Sequence, residues 1–283
     1  MFCPDCLRSC AVSALCLLGS AVSAGVPQYV NPAGDEFPIL AWYSILPDSA
    51  QTPERYRELR EAGFNISFSH FKSNAQVERA LGAMAGTGVR LMLTSHELVD
   101  DTEATVNRFK DCADVAGWFL RDEPTASGFP ELRQFRNRVY AADSSRVVYL
   151  NLFPSMVDAK SLEVNDYDEY VNRFIDEVSL PMVSYDFYPI VDEDGSIHVR
   201  EQFYDNLERV SRICRERDMP FWAFCLSTAH TPYPVPDNVH MRMLSSLYMS
   251  TGPYLSFMAV TVGYAANLNR LITKEPTRQK RYD

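Results

Sequence analysis

Ala116-Gly117-Trp118-Phe119-Leu120-Arg121-Asp122-Glu123-Pro124 runs from apolar residues straight into two carboxylates and a proline. A short continuous apolar run closed by a turn signal has the pattern of a fully buried strand. Near-continuous apolar strands belong to parallel sheets covered by helices on both faces. The stretch therefore predicts an interior parallel strand whose carboxyl end carries Arg121, Asp122 and Glu123. Strict alternation places Gly117, Phe119, Arg121 and Glu123 on one face. A glycine suits a crowded barrel interior, so this face is predicted to point inward.

Working outward, seven further runs share that character: Pro38–Ser44, Asn65–Phe71, Val89–Thr94, Val147–Phe153, Pro181–Tyr188, Phe221–Leu226 and Tyr254–Thr261. Amphipathic segments separate them. The first has Thr52 to cap it, Pro53 in its opening position and Gly63 at its end. Tyr167, Tyr170, Val171, Phe174, Ile175 and Val178 recur at helical spacing, as do Phe203, Leu207, Val210, Ile213 and Cys214. Alternating strands and one-sided helices define an α/β protein. Eight such units predict a (β/α)8 TIM barrel of parallel strands over residues 38–275, after a lead-in at 25–37 and before a polar tail at 276–283. The eighth unit is weak, its helix confined to about residues 264–272.

The chain has 283 residues and a formal net charge of −10. Phosphate binding needs clustered Lys and Arg, and only the tail (Arg278, Lys280, Arg281) is basic, so no nucleic-acid partner is expected. Residues 1–24 have the form of a cleaved export signal: Arg8, an apolar stretch from Ala11 to Leu18, then small residues ending at Ala24. That predicts a secreted or periplasmic protein. The apolar stretch is too short for a spanning helix, and Leu15 before Cys16 argues against a lipid anchor. Cys112, Cys214 and Cys225 then remain, too few and too scattered for a disulfide framework. They are expected to serve as small buried hydrophobes. Oligomeric state is not legible.

In this architecture the chemistry sits at the carboxyl ends of the strands. Those ends carry Trp42, His70, His96, Arg121, Asp122, Glu123, Asn151, Tyr185, Asp186, Tyr188 and His230. Carboxylates held against apolar walls and one another keep their protons toward neutral pH, which suits glycoside hydrolysis. Glu123 is the candidate proton donor and Asp186 the partner carboxylate. Arg121 either shapes the field of Glu123 or forms an ion pair with it. Asp122 either orients the substrate or Glu123, or caps the loop at Thr125 and Ser127. Trp42, Trp222 and Tyr188 offer faces for sugar rings, and Tyr185, His70, His96, Asn151 and His230 offer polar contacts. The three histidines would also serve a metal-dependent hydrolase, although no His-Glu-x-x-His motif supports a metal. No cofactor is expected.

Trp118 to Pro124 resembles the strand-four signature of secreted bacterial (β/α)8 glycoside hydrolases, the clan whose acid/base Glu ends strand four. The resemblance implies a carbohydrate substrate and Glu123 as acid/base, with Asp122 where the clan has an Asn that contacts the sugar 2-hydroxyl. The clan's nucleophile is a Glu ending strand seven, and Phe221 to His230 contains no carboxylate. Asp186 is the candidate replacement. Met182 to Phe187 is also similar to the Met-x-Tyr-Asp-Phe run of chitinases, which implies an alternative in which the substrate's own 2-acetamido group attacks. A non-catalytic glycan-binding barrel is the third expectation.

Overall fold

The computed structural model describes residues 27–47, 49–227, 233–251 and 255–261. The predicted signal, the eighth helix, the tail and His230 lie outside the described residues. In chain order the elements are β1 (Ile39–Trp42), α1 (Pro53–Glu61), β2 (Ile66–Phe68), α2 (Asn74–Met84), β3 (Arg90–Leu93), α3 (His96–Asp100), α4 (Thr102–Phe109) and β4 (Val115–Asp122). There follow α5 (Phe129–Ala142), β5 (Val147–Asn151), α6 (Tyr167–Arg173), β6 (Val183–Tyr185), β7 (Ile190–Glu193), β8 (Ser196–Val199), α7 (Gln202–Glu216), β9 (Phe221–Leu226), α8 (Asn238–Ser250) and β10 (Leu255–Thr261).

Local chemistry accounts for the helix ends. Thr52 accepts the Arg55 N–H ahead of Pro53 in α1, and Gly63 follows at φ 98°. Past α6 the helix widens into a π turn over Phe174–Val178 and stops at Ser179 in the left-handed region.

Eight parallel strands form one sheet in the order β5-β4-β3-β2-β1-β10-β9-β6. Its two edges meet where Leu152 bridges Tyr185 and the Leu152 N–H donates to Ser184 O at 2.8 Å. This is an α/β barrel. β9 coincides with its apolar run, whereas β1, β2, β5 and β6 are shorter than theirs, and the residues after them leave the ladder to become mouth loops.

The core has two parts, as a barrel requires. One cluster, including Trp118, Leu120, Phe129 and Tyr185, lies between sheet and helices. The other fills the interior with Trp42, Phe68, Met92, Phe119, Tyr149, Trp222 and Phe224. Gly117 permits this packing, since a Cβ there would meet Val147 O at 2.6 Å. The lead-in closes the amino end: Tyr29 sets its ring edge-on to Trp222, whose Nε1 donates to the Tyr29 hydroxyl at 3.3 Å.

The antiparallel hairpin β7–β8, inserted between β6 and α7, is absent from the predicted elements. Asp194 and Gly195 both take positive φ at its turn, as a tight hairpin requires. No helix among the described residues is long and apolar enough to cross a membrane.

Candidate active site

The mouth is built where β4, β5 and β6 end. β4 pairs with β5 through Phe119 beside Tyr149, then resumes with Asp122 beside Asn151. Three steps along β4 thus match two along β5, so β4 carries a bulge. The extra residue reverses the expected alternation. Asp122 joins Phe119, Tyr149 and Asn151 on the inner face. Arg121 turns outward, and its Nη1 donates to Glu131 Oε2 on α5 at 3.2 Å. The predicted Arg121–Glu123 relationship is therefore replaced by an exposed ion pair on the helical side.

Glu123 returns to the mouth by another device. Its φ of 45° lies in the left-handed region, rare for a residue with a side chain. Its N–H is fixed to Asn151 O at 2.8 Å. The next residue is held by the Tyr170 hydroxyl, which donates to Pro124 O. The Glu123 carboxyl consequently meets Asp186, which follows β6, and the two carboxyl groups share a hydrogen bond.

Asn151 organises the cluster from below. Its Nδ2 donates to Asp122 Oδ1 at 3.2 Å and to Asp186 Oδ1 at 2.8 Å. Ser184 Oγ donates to Asn151 Oδ1 at 3.0 Å, which fixes the orientation of the amide. The Tyr149 hydroxyl lies 3.3 Å from the same Ser184 oxygen. Asn151, Ser184 and Tyr149 are all buried, so these bonds act away from competing water.

Burial and crowding of negative charge set the proton affinities. Burial, then the charge of Asp186, pushes Asp122 up to about 6, with the Asn151 bond opposing. Burial, then the charges of Asp186 and Asp122, pushes Glu123 up to about 8, and its hydrogen bond to Asp186 holds the proton on Glu123. Asp186 is also raised by burial, offset by bonds from Asn151, its own backbone, Tyr188 and Glu123. All three carboxyls are thus held toward their protonated forms, Glu123 to about 8.

Aromatic groups surround it. Trp42 stacks on Phe68 at 4.2 Å and forms the buried floor. His70 packs 5.0 Å from Phe68 and 5.4 Å from Tyr43, and burial lowers its proton affinity, leaving a neutral imidazole. Tyr188 packs 5.3 Å from Tyr233 on the opposite wall.

Besides Arg121, three expected site residues lie elsewhere. Tyr185 points into the layer between sheet and helices, fully buried against Phe221, because it alternates with the inward Ser184. Trp222 is the second residue of β9 and sits at the closed amino end with Tyr29. His96 is exposed in the first turn of α3. Among the described residues no group of three or more His, Cys, Asp or Glu is arranged to hold a metal. Tyr149 is the member that sequence reasoning missed, while Tyr43 and Ser184 stand at predicted strand ends without a predicted role. The inward parity of Asn151 already implicates Tyr149, two residues earlier.

No protein-family model and no curated protein matches the sequence. Solved structures do match the fold. A candidate α-L-fucosidase from Bacteroides thetaiotaomicron superposes with a TM-score of 0.57 at 10% identity, covering 89% of this chain and 91% of that one. A β-1,4-D-mannanase from Cryptopygus antarcticus gives 0.50 at 11% identity, covering 83% and 89%. An HpcH/HpaI aldolase from Desulfitobacterium hafniense gives 0.48 at 11% identity, covering 83% and 89%. At such identities the likeness is one of fold: the chain has the α/β barrel that glycoside hydrolases use, and the chemistry must be argued from the site.

Proposed function

We propose that this protein is an exported glycoside hydrolase that cleaves O-glycosidic bonds of oligo- or polysaccharides, on a barrel of eight βα units spanning residues 38–275. Residues 1–24 direct its export and are removed. The observation that carries the reading is the gathering of Glu123, Asp122 and Asp186 at the mouth around Asn151, where burial and then the charges of Asp186 and Asp122 raise Glu123 to about 8.

Glu123 gives its proton to the departing glycosidic oxygen as that oxygen's bond to the anomeric carbon breaks. Retaining enzymes hold their carboxyls about 5 Å apart and inverting ones about 6.5–9.5 Å apart. In the retaining course Asp186 is the nucleophile. An Asp186 oxygen then bonds the anomeric carbon. Water later displaces Asp186 and returns a proton to Glu123. Asn151 Nδ2 steadies the Asp186 charge, while His70 and Tyr188 receive the sugar above the buried Trp42.

A second reading has its own support. The contact between Asp186 and Glu123 also suits an aspartate that steers the acid while a substrate 2-acetamido oxygen attacks. Tyr185, the expected amide holder, is buried away from the mouth, and Tyr188 would take its place.

Turnover of chromogenic glycosides, N-acetylhexosaminides among them, tests both. Glu123→Gln is expected to lower kcat by roughly 10²–10⁴-fold, the usual worth of general acid catalysis. Wild-type turnover in that variant would remove Glu123 as the acid. Sugar affinity without any turnover by the wild-type protein would favour a non-catalytic glycan-binding barrel.

A further inference from the structure

Beyond Asp186 the chain runs through Phe187, Tyr188 and Pro189 into the β7–β8 hairpin, then reaches Arg200 and α7. Together with Ser155 and Met156 from the loop after β5, these segments enclose a cavity of about 930 Å³. That falls within the range of sites that take small ligands. Phe187, the residue after Asp186, lines it with a ring that packs 5.9 Å from Phe203 of α7.

Arg200 is its distinguishing group. Its guanidinium lies 5.7 Å over the Tyr233 ring, and its Nη1 meets Met156 Sδ at 3.8 Å. Among the described residues no carboxylate pairs with it, whereas Arg209 and Arg212 further along α7 are both held by Asp168. The other titratable groups on the cavity are Glu193, His198 and Glu201. Glu193 faces His198 at 3.6 Å across the β7–β8 hairpin. A guanidinium steadied on an aromatic face presents its N–H edge in a plane, the geometry that binds a carboxylate or sulfate through two oxygens.

We infer that this cavity is a binding subsite for an anionic sugar, a uronic acid or a sulfated residue, whose carboxylate or sulfate rests on Arg200. Tyr233 lies between Arg200 and Tyr188, which reaches Asp186 through its hydroxyl. An oligosaccharide would therefore run along one aromatic wall from the subsite to the reacting bond. The inference rests on the glycosidase reading of the mouth and names the substrate class for it.

Calorimetric titration of the full chain carrying Glu123→Gln tests it without turnover. The probes are trigalacturonate and a sulfated carrageenan tetrasaccharide against cellotetraose and mannotetraose. At least one acidic probe is expected to bind about tenfold or more tightly than the neutral ones, with affinity falling as salt rises. The uronate and sulfate arms identify which anion is accepted. Adding Arg200→Gln is expected to erase the preference, and Arg200→Lys to restore part of it. Equal affinity for acidic and neutral probes, or a preference that survives Arg200→Gln, would overturn the inference. Arg200-dependent binding alongside a wild type that turns over no glycoside would instead remove the hydrolase reading and leave the subsite standing.

Discussion

Glu123 and Asp186 bring their carboxyl groups together at the barrel mouth, where burial and then the Asp186 charge raise Glu123 to about 8. Neither sits there by simple strand geometry. Glu123 arrives through a left-handed turn after β4, and Asp186 steps off the end of β6. Asp122, brought inward by the β4 bulge, adds a third negative group and drives Glu123 further toward its neutral form.

Stability must therefore depend on pH in a definite sense. The Glu123 carboxyl is raised from 4.5 to about 8 on folding, so the folded chain binds more protons than the unfolded one between those values. Its contribution is fully present below pH 4.5 and is lost as pH rises through about 8. The expected outcome is a wild-type Tm that falls between pH 5 and 9, against a flatter profile for Glu123→Gln, measured by thermal melts in buffers of equal ionic strength. Parallel profiles would mean that Glu123 is not the group held neutral.

Much of this arrangement is legible in the residues themselves. Apolar runs and helix caps such as Thr52 and Pro53 predict the parallel barrel, because burial and capping act over a few neighbouring positions. The strand-end residues Glu123, Asp122, Asn151 and Asp186 follow from that frame. Which way they face does not. The bulge that separates Arg121 from Asp122 is a property of the β4–β5 ladder, and the inward Ser184 that forces Tyr185 outward is fixed by the Leu152–Tyr185 junction. Both depend on partners far along the chain. The β7–β8 hairpin is a different case: Asp194-Gly195 is a local turn signal between extended residues, and it can be recognised without coordinates.

Arg121 discriminates the two placements. An inward Arg121 would be needed for turnover, whereas an outward one only pairs with Glu131 at an exposed site. Arg121→Gln is expected to retain wild-type kcat/KM on any glycoside the protein cleaves. Exposed pairs are worth about 0–1 kcal/mol, so the stability loss should stay within that range in urea denaturation. A large drop in kcat would return Arg121 to the mouth.

Gly117 tests the packing beneath the site. A Cβ there would lie 2.6 Å from Val147 O and 2.7 Å from Val147 Cγ1, and the oxygen belongs to backbone that cannot swing aside. Gly117→Ala is expected to cost about 1–3 kcal/mol through overpacking, read from the midpoint of chemical denaturation. Because β4 and β5 would be pushed apart below Asp122 and Asn151, activity should fall as well. A variant as stable as wild type would mean that the β4–β5 spacing at this level is wider than the register implies.

Asn151 gives the sharpest test of the cluster. Its two amide hydrogens favour the ionised forms of Asp122 and Asp186, and its carbonyl is occupied by Ser184. Removing the amide leaves both carboxylates buried with one donor fewer, so both should hold their protons to higher pH. If Asp186 must be ionised to react, the acid limb of the kcat profile will move upward in Asn151→Ala, while the alkaline limb set by Glu123 near pH 8 moves less. A kcat loss of about 10–100-fold at neutral pH is expected, the scale of misplacing a reacting group by a fraction of an ångström to one ångström. Ser184→Ala, which frees the amide to turn, should shift the same limb in the same direction by a smaller amount. A uniform loss of activity with both limbs unmoved would show that Asn151 supports the backbone of β5 and does not govern the carboxylates.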